Sequence, residues 1–254
     1  MLSEERYRKI AEQIESEGSV TVNGLSEKFG VSIETVRRDL IAMEAQGCLK
    51  RVFGGAVAER GSVRFEEFPQ RMQTHRAQKI AVANKVADLI YEGDTIALDS
   101  GTTAMEVAEV LKNRFRKLTI VTYSLKLFNE LKDTFDVILT GGEFYAKEEA
   151  FYGELATETI GRLHTGKCFI FPSAIGVRYG VEDYVPCFIS VQRALMRCSD
   201  RIIIAADSFK FCSRGLIRLC DLSPEHIYLT DSDLPEEIAE EFGRNNLNLL
   251  IGEL

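Results

Sequence analysis

Residues 30–40 read GVSIETVRRDL, a glycine turn running into a short helix with two adjacent arginines. Ser32 is a residue type that caps helix N-termini, and Glu34 suits the positive end of the helix dipole. At about 100° per residue, Ile33, Val36, Leu40 and Met43 gather on one side, which predicts a core-facing stripe. Arg38 falls nearly opposite that stripe, flanked by Glu34 and Thr35, and Arg37 sits on its shoulder. A solvated face accounts for an isolated arginine pair just as well. The pair acquires meaning only from its neighbours.

Upstream, Tyr7, Ile10, Ala11 and Ile14 recur at helical spacing over Arg6 to Glu17, and Gly18 stops the run. SVTV follows as a short extended piece. NGLSEKFG, residues 23–30, predicts a second helix, with Asn23 as its cap and Leu25 and Phe29 four apart on one face. Downstream, Gly47 ends the third helix. CLKRVFGGAV, residues 48–57, places Gly54-Gly55 as a tight turn between two short strands. Two helices, a glycine turn, a capped third helix and a basic ribbon make a winged helix-turn-helix layout. In that layout Ser32, Glu34 and Thr35 approach base edges in the major groove. Arg37 and Arg38 take guanine edges or phosphates, and Lys50 and Arg51 grip flanking phosphates as a wing.

The net charge of −8 does not oppose this, because it is unevenly spread. Residues 1–56 hold eight Lys or Arg against nine Asp or Glu, so the deficit falls on the rest of the chain. With 45% hydrophobic and 28% charged residues, the composition is that of a soluble globular protein. No apolar run approaches the ~18 residues of a membrane span, and the charged N-terminus does not read as a signal peptide. A cytoplasmic chain without membrane contact is expected. Six cysteines are scattered without C-x-x-C spacing among only three histidines, so reduced thiols and no metal site are expected. No sequence feature calls for a cofactor.

Residues 1–57 are thus expected to form a DNA-binding domain. Residues 58–75 are charged and aperiodic and are expected to be a linker. Residues 76–254 then alternate helical and strand-like runs, beginning with a helix at about 76–91. The strand runs DTIALDS, LTIVT, DVILTGG, CFIFPSAIGV, RIIIAAD, HIYLTD and LNLLIGE are nearly continuous apolar stretches. That pattern predicts an α/β fold with a mostly parallel sheet covered on both faces.

In such a sheet, ligands bind at the carboxyl ends of strands. LDSGTTAMEVAEVL, residues 98–111, turns from strand to helix there, and its free amides with the Ser100, Thr102 and Thr103 hydroxyls form an anion cradle. It is neither a Walker A nor a G-x-G-x-x-G motif, and a plain threonine-capped turn reads equally well. Gly141-Gly142 end another strand, and Asp207, Ser208 and Lys210 end a third. A phosphate on the threonine loop with Lys210 as counter-charge is the natural chemistry. Asp99, Glu143 and Asp207 are the carboxylates available as a general base for an isomerase, but no spacing selects an acid–base pair among them.

The segment RYRKIAEQIESEGSVTVNGLSEKFGVSIETVRRDLIAMEAQGCLKRVFGGAV resembles the DNA-binding domain of the DeoR family of bacterial transcriptional regulators. The likeness rests on VS-x-x-TVRRDL and G-x-L-x-R-x-x-GGA and continues to about residue 240. The segment KIAVANKVADLIYEGDTIALDSGTT, with LTGG and AADSFKF after it, is similar to that family's sensor domain, which resembles ribose-5-phosphate isomerase and typically senses phosphorylated sugars. The resemblance implies a non-enzymatic regulator of carbohydrate genes, most simply a repressor. Its implied partners are double-stranded operator DNA and a phosphorylated sugar or related metabolite, and it implies a homo-oligomer, dimer or tetramer. It implies effector contacts from Asp99, Ser100, Gly101, Thr102, Thr103, Gly141, Gly142 and Lys210, with Tyr123 at a pocket position where the family carries Asn. Phe209 replaces a Ser, Gly166 an Asp, and Phe171-Pro172 a Gly-Ala pair. These aromatics are expected to shrink or reshape the cavity. The alternatives are a regulator with a degenerate effector pocket and an isomerase-like enzyme.

Overall fold

A computed structural model describes residues 6, 7, 9, 10, 13, 14, 19–45, 49–52, 54–57 and 67–253. The chain divides into two compact units, with the boundary between Arg64 and Phe65.

In the first unit the described residues before Ser19 are helical. β1 (Ser19–Thr21), α1 (Val22–Phe29), α2 (Ile33–Ala45), β2 (Lys50–Val52) and β3 (Gly55–Val57) follow. The three strands form one antiparallel sheet in the order β1-β3-β2. Gly54 makes the turn between β2 and β3 at φ 82°, and a side chain on Gly55 would drive into the Val20 carbonyl. Ile10, Ile14, Leu25, Val36, Leu40 and Met43 share one core with Leu49 and Ala56.

Two details differ from the sequence expectation. α1 begins at Val22, and its cap is Thr21, two residues before the expected Asn23, accepting the Gly24 amide at 3.1 Å. Ile33 is 43% exposed, since the first turn of α2 projects beyond the core that holds Val36 and Leu40. Gly47, expected to end α2, lies outside the described residues.

The second unit opens with α3 (Phe68–Gln73) and α4 (Arg76–Ala87). β4 (Thr95–Leu98), α5 (Thr102–Arg114), β5 (Thr119–Thr122), α6 (Leu125–Leu131) and β6 (Asp136–Leu139) come next. A hairpin of β7 (Glu143–Tyr145) and β8 (Ala150–Tyr152) leads to α7 (Glu154–Gly161), β9 (Thr165–Ile170), β10 (Ala174–Gly176) and β11 (Gly180–Asp183). α8 (Ile189–Arg197), β12 (Ser199–Ala205), β13 (Ile217–Cys220), β14 (Ile227–Asp231), α9 (Glu236–Arg244) and β15 (Asn248–Gly252) complete it.

Seven strands form the central sheet in the order β15-β14-β12-β9-β4-β5-β6, every pair parallel. Alternate residues feed two cores. Ala97, Val121, Cys168, Ile170 and Ile204 face one, and Ile96, Leu98, Ile120, Phe169 and Ile203 face the other. Burial on both faces is why the strands read as unbroken apolar runs.

Residues 67–75, read as linker from their charge, are folded. Phe68 is buried, and Arg71 donates to both carboxylate oxygens of buried Glu148, at 2.5 and 2.6 Å. Charge hid this helix because its anchors are an ion pair and one aromatic rather than a stripe. Residues 58–66 of the expected linker lie outside the described residues. CFIFPSAIGV is two strands, not one. Pro172 interrupts it, and β10 pairs with β11 in a separate antiparallel sheet, order β10-β11-β13.

Candidate functional site

On α2 the polar face forms as the wheel predicts. Ser32, Glu34, Arg37 and Arg38 are exposed and Thr35 is half-buried. The Thr35 amide donates to Ser32 Oγ at 3.1 Å, and the two hydroxyls lie 2.8 Å apart, so the predicted cap is made. Arg37 leans back to Glu34 at 3.7 Å, an exposed pair of little energetic weight. Arg38 has no ion pair among the described residues and stands as an uncompensated cation. Asp39, next in sequence, turns inward. Arg6 grips it in a buried fork, Nε at 2.6 Å and Nη2 at 3.0 Å, which fixes the N-terminal helical segment against α2. That hydrogen bond to Asp39 raises the Arg6 pKa. The Arg51 amide donates to Glu44 at 2.8 Å, and its guanidinium lies 3.5 Å from the same carboxylate, tying β2 to the last turn of α2. Lys50 lies on β2 beside it, but its side chain is outside the described residues.

In the second unit the chain leaves β4 toward β5 and β6 on one side and returns through β9 to β12, β14 and β15 on the other. The topological switch therefore lies between β4 and β9, where open α/β sheets present their crevice. Asp99 follows β4 at this point and is fully buried. Its Oδ1 accepts the Ser100 amide at 2.8 Å and the Tyr123 hydroxyl. Its Oδ2 accepts the Phe171 amide at 3.0 Å and Gln192 Nε2 at 3.1 Å. Gln192 Nε2 also donates to Asp183 at 2.7 Å, so one amide bridges two buried carboxylates. Burial, aided by the charge on Asp183, raises the Asp99 pKa to about 7, against the three donors that lower it.

Asp99 and Tyr123 are thus joined in one buried hydrogen-bond network. Tyr123, placed where the resemblance predicts a pocket contact, is itself fully buried and pushed well above its ordinary pKa by burial. The outer shell differs. Gly101 stands at φ 119° before α5 with open space at its Cβ position, and the Thr102 and Thr103 side chains are buried behind it. The 3₁₀ turn Ser208–Cys212 carries Lys210 half-buried. Gly141 is exposed. Gly142 has a packing reason for its identity, since a side chain there would meet the Tyr152 carbonyl.

Asp207 and Lys79 complete the surroundings. Asp207 is fully buried, and neither of its carboxylate oxygens has a hydrogen-bond partner among the described residues. Lys79, on α4, is 3% exposed and donates to the carbonyls of Arg71 and, at 2.6 Å, Thr74. Burial lowers its pKa to about 8, with Asp207 opposing the shift and Lys210 adding to it.

Residues 6–61 match the DeoR-like helix-turn-helix domain, and residues 74–232 match the DeoR C terminal sensor domain. The chain belongs to the DeoR family of transcriptional regulators. The transcriptional repressor AccR of Agrobacterium fabrum is 33% identical over 250 residues, covering 94% of this chain and 96% of that protein. The L-fucose operon activator of Haemophilus influenzae is 32% identical, covering 92% and 94%. The glycerol-3-phosphate regulon repressor of Escherichia coli is 28% identical, covering 98% and 99%. Ribose 5-phosphate isomerase A from Neisseria gonorrhoeae matches 56% of this chain and 54% of its own at 15% identity and a TM-score of 0.37. This DeoR-family chain is a DNA-binding regulator and not an enzyme. Its described residues include no helix long and apolar enough to cross a membrane.

Sequence reading missed Gln192, Asp183, Lys79 and His75. One signal for Lys79 was there: it occupies the same helical stripe as Val82, Ala83 and Val86, all buried, so a charge sat on an apolar face. Gln192 and Asp183 left none, because they are joined to Asp99 only by the fold.

Proposed function

We propose that this DeoR-family protein represses carbohydrate genes by binding operator DNA through α2 and β2, and that a phosphorylated metabolite releases it. The observation that carries the DNA contact is Arg38, an exposed and unpaired guanidinium one turn beyond the Ser32–Thr35 cap on an otherwise core-packed helix. Ser32, Glu34 and Thr35 approach base edges, and Arg37, Lys50 and Arg51 lie along the backbone. The chain works as a cytoplasmic homo-oligomer, dimer or tetramer, so that paired DNA-binding units meet two half-sites. Several relatives are named for sugar or glycerol-phosphate systems, which supports a carbohydrate role.

The effector is held by the outer shell, Ser100 to Thr103, Gly141 and Lys210, where backbone amides and one lysine suit a phosphate. Asp99 and Tyr123 shape the floor from beneath instead of touching the ligand. The sealed floor favours a phosphate on a short carbon chain over a pentose or hexose phosphate.

Selection of bound sequences from random DNA by the full-length protein, followed by gel-shift titration at fixed salt, tests the DNA half. Arg38→Ala is expected to abolish preference for the selected sequence while leaving the circular dichroism spectrum unchanged; retained affinity would sink the α2 assignment. A thermal-shift screen of sugar phosphates tests the other half. A ligand at about 100 times its Kd stabilises by roughly 2.7 kcal/mol. No shift in the wild type, together with none in Lys210→Met, would overturn the effector site.

A further inference from the structure

One contact ties the start of the sensor unit to the loop that carries Lys210, and two more hold it to α5 and to α3. The His75 ring stacks on Phe209, centroid to centroid 3.5 Å, at the joint between α3 and α4. Arg76 Nε donates to Glu106 on α5 at 2.9 Å, within the helix that Gly101 to Thr103 begin. Lys79 Nζ holds the Arg71 and Thr74 carbonyls, at the C-terminal end of α3.

Lys79 belongs to two systems at once. Its side chain bonds to α3, while its own amide bonds to the carbonyl of His75, whose ring stacks on Phe209 next to Lys210. An ammonium bonded to neutral carbonyls prefers a phosphate oxygen when one comes within reach, because charge-assisted bonds are shorter and roughly twice as strong. Water is nearly excluded around Lys79, which magnifies the difference.

We propose that Lys79 is the relay of this regulator: an anion bound beside Lys210 draws its ammonium off the Arg71 and Thr74 carbonyls and loosens the C-terminal end of α3. The relay rests on the phosphate site proposed above. α3 is the first described element of the sensor unit. Phe68 and the Arg71–Glu148 pair anchor the other side of α3, so the helix loosens at Thr74 before it detaches.

Hydrogen–deuterium exchange on the full-length protein, with and without inorganic phosphate as the probe, reads this directly. The Thr74 amide bonds to the Gln70 carbonyl across the last turn of α3, so its exchange, with that of the neighbouring amides, reports this end of the helix. Phosphate is expected to speed these amides roughly fivefold or more, the signature of local opening. Lys79→Met is expected to exchange fast without phosphate and to gain nothing further with it. Phe209→Ser, on the exposed side of the stack, keeps the core intact and is expected to speed the same amides by a smaller factor. A phosphate-dependent thermal shift with no change at these amides overturns the relay and leaves the anion site standing. So does wild-type exchange in both variants. Absence of any thermal shift overturns the anion site, and the relay with it.

Discussion

The Tyr123 hydroxyl donates to the buried carboxylate of Asp99 and receives Ser100 Oγ at 3.0 Å, so a residue expected at a pocket wall is locked into the floor. Removing only the hydroxyl leaves Asp99 and Ser100 short of a buried partner. Tyr123→Phe is expected to lower sensor-unit stability by about 1–3 kcal/mol in urea unfolding. Tyr123→Asn also empties the ring volume and is expected to lower it by a larger ~3–5 kcal/mol. The same substitution is expected to admit larger sugar phosphates in a thermal-shift screen. Unchanged ligand preference in a folded Tyr123→Asn protein would show that the floor does not set ligand size.

Asp99 also gives the sensor unit a pH dependence of definite sign. Its folded pKa, about 7, lies above the ordinary 3.8, so the folded state binds more protons between those values. The associated stability is fully present below about pH 4 and is lost as pH rises through 7. The whole difference amounts to something on the order of 4 kcal/mol, and most of it is spread over pH 4–7. The urea midpoint of the sensor transition is expected to fall between pH 5 and pH 8 in the wild type. Asp99→Asn, which has no proton to lose, is expected to flatten that slope. Parallel slopes in the two proteins would locate the titrating group elsewhere.

The sheet was legible because its strands are apolar on both faces, and the winged unit because caps, glycines and arginines fall at fixed spacings. Ser32 as a cap and Gly54-Gly55 as a turn are local chemistry, readable over three or four residues. Long-range partnerships were not readable. Nothing near Gln192 announces that its amide joins Asp99, 93 positions away, to Asp183. The 67–75 stretch looked like a linker because its folding depends on Glu148, 77 residues downstream of Arg71. Loop motifs point to the carboxyl ends of the strands by topology alone. They assigned ligand contacts to Asp99, whose oxygens are all taken by the protein itself.

Arg37 and Arg51 are expected to behave unlike Arg38. Both lean on a carboxylate, Glu34 and Glu44, and both remain substantially exposed. As phosphate contacts they strengthen binding to any sequence. Arg37→Ala and Arg51→Ala are each expected to reduce the slope of log affinity against log salt by about one unit, with the sequence preference kept. Fluorescence anisotropy over a salt series on selected and scrambled DNA measures both quantities. A change of preference without a change of slope would move either arginine to a base edge.

The Arg6–Asp39 fork is the one buried ion pair holding α2 among the described residues of the first unit. Removing one partner leaves the other, which is little exposed, without its fork. Asp39→Ala and Arg6→Met are each expected to destabilise the first unit by about 1–3 kcal/mol. The double variant Arg6→Met with Asp39→Leu replaces both charges by apolar groups and is expected to recover part of that loss. A thermal-unfolding cycle on the full-length protein gives the coupling. If the double variant loses as much as the two singles together, the pair contributes nothing beyond packing, and α2 is positioned by its apolar stripe alone.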